Sequence, residues 1–195
     1  MMDAVGKLDR RARRSQRLMG DAMLALLLEK GYDTVTIKDI TERADVAYVT
    51  FFRHYESKAD LLQRRLAEEL KELRERIETA TRVAPDGQAD TLAGQLIFEH
   101  AREKRVLYQV LLSTQAAVHV RKHVQATIAA IFLDTCRPLY ASQLVPAEIA
   151  ANHMAAALLA LIEWWLDHEM AQSAEDMARI YDRLVLASTM IAIRI

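Results

Sequence analysis

Residues 36–62 run Thr36-Ile37-Lys38-Asp39-Ile40-Thr41-Glu42-Arg43-Ala44-Asp45-Val46-Ala47-Tyr48-Val49-Thr50-Phe51-Phe52-Arg53-His54-Tyr55-Glu56-Ser57-Lys58-Ala59-Asp60-Leu61-Leu62. The stretch reads as two short helices around a tight turn, with a third helix beginning immediately afterwards. Thr36 with Asp39 three residues on makes a capping box, and Ile37, Ile40 and Ala44 fall at helical spacing on one apolar face. The turn follows at Ala44-Asp45-Val46. The second helix, from about residue 47 to 55, turns Val46, Phe51 and Tyr55 inward and leaves Tyr48, Val49, Thr50, Arg53 and His54 projecting outward. Ser57, with Asp60 three residues later, caps the next helix. An outward face of this kind suits the major groove of DNA, and the N–H groups opening the third helix, together with Lys58, are placed to hold a phosphate.

In this register the stretch resembles the helix-turn-helix of TetR-type transcriptional regulators. The matching positions are Thr36, Ile37, Ile40, Ala44, Val46, Thr50, His54, Lys58, Leu61 and Leu62. Asp45 stands where the pattern has glycine, Phe51-Phe52 where it has Leu-Tyr, and Tyr55 where it has Phe. Aspartate tolerates the left-handed conformation better than most residues, so Asp45 costs on the order of 1 kcal/mol relative to glycine and leaves the turn intact. Phe52 lacks the hydroxyl that the family's tyrosine commonly directs at a phosphate. The resemblance implies Thr36, Tyr48, Val49, Thr50, Arg53, His54 and Lys58 as the DNA-binding residues.

Hydrophobic residues make up 52% of the 195 residues, with only five Gly and three Pro, which favours long helices over a turn-rich β fold. The expectation is all-α: a three-helix helix-turn-helix head over residues 1–56, a connecting helix over 57–82, and a helical bundle over 83–195. A net charge of −1 excludes uniform basicity, so a nucleic-acid partner requires local positive charge. Residues 1–17 supply it, with Lys7, Arg10, Arg11, Arg13, Arg14 and Arg17 against Asp3 and Asp9. One cysteine, Cys136, forms no intramolecular disulfide, and no leader pattern appears at the N-terminus. Apolar runs such as residues 154–162 fall short of the roughly 20 residues that span a bilayer. A cytoplasmic location away from any membrane is expected.

The first helix is expected from about residue 10 to 30, with Leu18, Ala22, Ala25, Leu26 and Glu29 on one cylinder and Gly31 as its stop. The helix opened by Ser57 carries a stripe of Leu61, Leu62, Leu66, Leu70, Leu73 and Ile77 and ends at the break in residues 83–87. Helical patterns follow at about 88–103, 104–114, 116–140, 146–171 and 174–194. Pro146 with Glu148 fits a first-turn proline, and Ser173 with Asp176 a capping box. Residues 98–108, 163–168 and 173–178 are similar to the C-terminal domains of one TetR-type subgroup, which implies a homodimer through the last two helices. Residues 154–165 and 180–193 are also apolar around more of the helix than one buried stripe requires, and a helix-to-helix contact between copies would cover the excess.

The resemblance further implies a small-molecule effector cavity. Phe98, Tyr108, Phe132, Met154 and Trp164 are its candidate wall, with Tyr140, Trp165, His100, His119, His123 and Cys136 interleaved, and an apolar or aromatic effector would suit them. Packing residues of an ordinary core are the alternative. His119 and His123 share a helix face, yet Arg121 and Lys122 flank them and no acidic third ligand stands at suitable spacing, so no metal site is expected. No other cofactor is implied. His168-Glu169 lacks the second histidine of a zinc-protease helix, and no histidine has a glutamate three residues before it, as a di-iron bundle requires. The reading is a ligand-responsive repressor of a palindromic operator and not an enzyme, the alternative being a helical-bundle enzyme or adaptor with an incidental helix-turn-helix.

Overall fold

The computed structural model describes residues 2–83, 89–113, 118–136 and 144–194. Part of the break at 83–87 and Tyr140 lie outside them, as do the side chains of Lys7, Arg10, His119, His123 and Cys136. Among the described residues all regular structure is helical, as the composition implied.

Helix α1 (Met2–Lys30) starts eight residues earlier than expected, and its buried face is Met19, Ala22, Met23, Leu26 and Leu27, slightly rotated from the anticipated one. Gly31 stops it at φ 75°, its N–H bonded to the carbonyl of Leu27. Helices α2 (Ile37–Arg43), α3 (Tyr48–Phe52) and the start of α4 (Lys58–Arg82) complete the head. Val35, Ile40, Phe51, Leu61 and Leu62 form its core, all at 1% exposure or less. Leu66 and Leu73 continue the buried stripe of α4, with Leu70 and Ile77 half-buried. At 25 residues this helix is roughly 37 Å long.

The second part comprises α5 (Ala89–Glu103), α6 (Arg105–Ser113), α7 (Val118–Cys136), α8 (Ala147–Asp167), α9 (Ala174–Tyr181) and α10 (Ala187–Arg194). Helix α5 lies between α4 and α9. Gly94 permits the close approach to α9, because a Cβ there would stand 3.2 Å from that of Ala178. Helix α7 packs along α8, whose Met154, Leu158, Ile162 and Trp165 fill the centre.

Three details differ from expectation. Pro146 caps α8 instead of occupying its first turn: its ψ of 141° is extended and its carbonyl accepts from the N–H groups of Ile149 and Ala150. The same helix ends at Asp167, because Glu169 and Met170 turn left-handed at φ 57° and 54°. The last helix is interrupted by a π-helical turn, Asp182–Leu186. The buried positions there, Tyr181, Val185, Thr189 and Ile193, recur every four residues. A straight α-helix would rotate such a row by about 40° per step, and the wider turn cancels that drift.

Despite the short apolar runs in its sequence, α8 as a whole is long and apolar enough to cross a membrane, with a mean hydropathy of 1.4. Half of that window is buried against neighbouring helices, which is the behaviour of a core helix. Its other face, with that of the last helices, stays apolar and open: Ile149, Trp164, Leu184 and Ile191 are all exposed.

Candidate nucleic-acid interface and a groove in the bundle

The turn before α3 is built by Asp45 at φ 51°, with the N–H of Val46 on the carbonyl of Thr41. It delivers a helix of only five residues, ending at Phe52 instead of near residue 55. Phe51 and Tyr55 pin it to the core, their rings 5.5 Å apart. Tyr48, Val49 and Phe52 are consequently 54%, 59% and 51% exposed. Arg53 is also exposed, and Thr50 and His54 are half-buried.

The sequence-based list missed two residues of this surface. Phe52 packs edge-on against Tyr48, with centroids 5.4 Å apart, and so belongs to the same exposed face. Gln16 of α1 reaches His54, its amide nitrogen 3.4 Å from Nδ1, which holds the imidazole against the first helix. Helical spacing alone could have found Phe52, whereas a contact across 38 residues leaves no local signal.

Two of the expected DNA-binding residues have internal duties. The Thr36 hydroxyl accepts from the N–H of Asp39 and donates to its carboxylate, while that carboxylate accepts from the Thr36 N–H. Lys30, 2.9 Å away, and then Thr36 hold Asp39 well below the usual carboxylate range. Lys58 points back into the head. Its ammonium donates to the carbonyls of Tyr32 at 2.7 Å and Val35 at 3.0 Å and lies 4.4 Å from the centroid of the Tyr32 ring. Asp60, instead of an open anion site, takes the N–H of Glu56 at the mouth of α4. Arg11, Arg13, Arg14 and Arg17 are exposed on α1, the last three within five residues along one side.

The five candidate effector-wall residues do not surround one space. Phe98 is fully buried, its ring edge-on to Trp165 at 5.6 Å. Met154 is core, and its carbonyl accepts the Tyr181 hydroxyl. Phe132 is half-buried on α7. Trp164 faces outward, 45% exposed and stacked on His168 at 4.1 Å; its neighbour Trp165 is the buried one, with its indole N–H on the carbonyl of Gln172. A one-residue step turns a helix by about 100°, which separates the two indoles.

A groove of about 300 Å³, open to solvent, runs between α4 and α7, with Leu66, Leu70, Val124 and Ile131 in its wall and Lys71, Arg74 and Asp134 among its polar residues. Tyr108 borders a smaller, partly open hollow behind it. There Glu69, 1% exposed, meets Arg65 at 2.5 Å, Lys104 at 3.0 Å and His100 at 3.3 Å. Burial alone would raise the carboxyl's proton affinity, but the Lys104 hydrogen bond and the two cationic charges prevail and lower it. His100 is shifted down by burial, against the pull of Glu69. Among the described residues no group of three metal-ligating side chains occurs.

A short helix held outward by two buried aromatics, on a head joined by one long helix to an all-helical bundle, has the architecture of helix-turn-helix transcriptional regulators. The family model for bacterial regulatory proteins of the tetR family matches residues 21–64, and that for a transcriptional regulator C-terminal region matches residues 94–186. The chain belongs to the TetR family. It is 24% identical over 174 residues to the uncharacterized HTH-type transcriptional regulator YxbF of Bacillus subtilis, covering 89% of this chain and 45% of that one. It is 42% identical over 60 residues to the HTH-type transcriptional repressor KstR of Rhodococcus jostii, covering 31% of this chain and 28% of that one. The chain thus spans less than half the length of these relatives. A crystal structure of a TetR-family regulator from Syntrophomonas wolfei shares the fold, with a TM-score of 0.77 at 18% identity over 91% of this chain and 95% of that one.

Proposed function

We propose that the chain is a homodimeric, ligand-responsive repressor that binds a palindromic DNA operator through α3. One observation carries the reading: Tyr48, Val49 and Phe52 stand exposed on a helix whose other face is locked by Phe51 and Tyr55. Exposing three large apolar side chains within five residues costs solvation and is compensated where thymine methyls, sugars and base edges cover them. Tyr48, Val49 and Thr50 then meet bases, while Arg53, His54 and the arginines of α1 meet the backbone.

Residues 1–56 form the reading head, 57–82 the connection and 83–195 the effector and dimerisation part. Pairing of the exposed apolar faces of α8 and the last helices places two heads about one helical turn of DNA apart, roughly 34–36 Å. An apolar effector entering between α4 and α7 tilts α4 and changes that spacing. Repression is supported by the similarity of the head to that of a repressor, and the site of action is the cytoplasm.

A duplex selected from a random library tests the DNA-binding claim. Affinity should drop by orders of magnitude between about 50 and 200 mM salt, as several phosphate contacts require. Failure to retain any duplex at low salt refutes the proposal.

A further inference from the structure

Phe52 is the middle of the exposed face of α3. At about 100° per residue it falls about 40° from Tyr48 and about 60° from Val49, between the two, with Arg53 next beyond Val49. Its ring is 51% exposed and yet fixed. It stands edge-on to Tyr48 at 5.4 Å and 66°, and edge-on to the fully buried Phe51 at 5.4 Å and 73°. Both are favoured aromatic geometries, so the ring is braced from two sides. A side chain held this way has little rotamer freedom left to lose when a partner covers it.

The chemistry of this face restricts what can cover it. A phenyl ring has no N–H or O–H to donate and no lone pair to accept with, so Phe52 answers neither a phosphate oxygen nor the polar edge of a base. Its flanks are basic. Arg53 is exposed on the same helix, and the contact of Gln16 with His54 brings α1 alongside, with Arg13, Arg14 and Arg17 exposed within one turn of Gln16. An apolar centre between basic flanks matches a polyanion that carries apolar groups on the floor of its groove. In the major groove of DNA that group is the C5-methyl of thymine.

We propose that Phe52 is a specificity-determining residue of the head, its ring packed on a thymine methyl in each half of the operator. The inference rests on the proposal that α3 binds DNA in the major groove. Phe52 stands where the TetR-type pattern has a tyrosine. Without the hydroxyl, a contact to the backbone that is blind to sequence is replaced by an apolar contact that depends on it. The operator therefore carries thymine at one fixed position of each half-site, opposite Phe52, and the methyl of that base contributes to affinity.

The duplex selected from a random library tests the proposal, with each thymine replaced in turn by deoxyuridine in both half-sites. The exchange removes the methyl and keeps every base-pair hydrogen bond. At one position it should weaken binding by the wild-type chain roughly tenfold, since one buried methyl is worth about fourfold and the two half-sites multiply. In Phe52→Ala, checked for an unchanged melting profile, the thymine and uracil duplexes should bind within a factor of about two of each other. A ring that only packs the head would weaken both duplexes alike and leave the wild-type ratio. That result, a selected duplex with no thymine shared by its half-sites, or indifference to the methyl at every thymine overturns the assignment while leaving DNA binding through α3 intact. If no duplex is retained at low salt, DNA binding itself is refuted and this inference with it.

Discussion

Lys58→Met separates two incompatible roles for one lysine. Sequence pattern places its ammonium on a DNA phosphate, whereas the structure places it on the carbonyls of Tyr32 and Val35 and over the Tyr32 ring. A hydrogen bond to a charged group contributes about 1.5–3 kcal/mol when desolvated, and water can recover part of the loss at this half-buried site. Methionine keeps the apolar stem, so the variant should lose about 2 kcal/mol. For a chain of this size that is a drop in Tm of roughly 4–8 °C, read by circular dichroism. Operator affinity measured well below the melting range should fall less than about tenfold, with the slope of log affinity against log salt unchanged. An unaltered Tm together with a salt slope reduced by about one would identify a phosphate contact and refute the internal role.

The two tryptophans of α8 should respond oppositely. Trp165→Ala removes a fully buried ring and should cost about 3–5 kcal/mol in urea unfolding, whereas Trp164→Ala should change monomer stability by less than about 0.5 kcal/mol while shifting sedimentation towards monomer. Replacing the left-handed Asp45 by Gly should stabilise the head by up to about 1 kcal/mol, and a clear loss would contradict the strain assigned to that turn. His100 and Glu69 both bind protons more weakly folded than unfolded, so the unfolded state takes up protons first as pH falls. Stability should therefore decline below the ordinary histidine value of 6.5 and again below the ordinary glutamate value of 4.5, and Tm that rises on acidification would contradict the charge states assigned to Glu69 and His100.

What the sequence disclosed follows the range of each interaction. Capping at Thr36 and Ser57, the stop at Gly31, the left-handed Asp45 and the inward Phe51 and Tyr55 all rest on neighbours within one or two helical turns, and these features were legible. The duties of Lys58 and Gln16 and the Glu69 cluster join residues 23 to 38 positions apart, so no local pattern announced them. Aromatic content suggested the effector wall, but aromatics serve the core equally well. The groove proposed for the effector is lined by the aliphatic stripe of α4 and its partner α7, and which of two adjacent tryptophans points inward depends on the helix phase set by packing.

Competition binding to the selected operator and to unrelated DNA, for the wild-type chain and for Tyr48→Ala/Thr50→Ala, tests the reading face most directly. The double variant should lose roughly tenfold or more in operator affinity with little change on unrelated DNA, because base contacts carry specificity and phosphate contacts do not. Equal losses on both DNAs would show that the outward face of α3 does not read sequence.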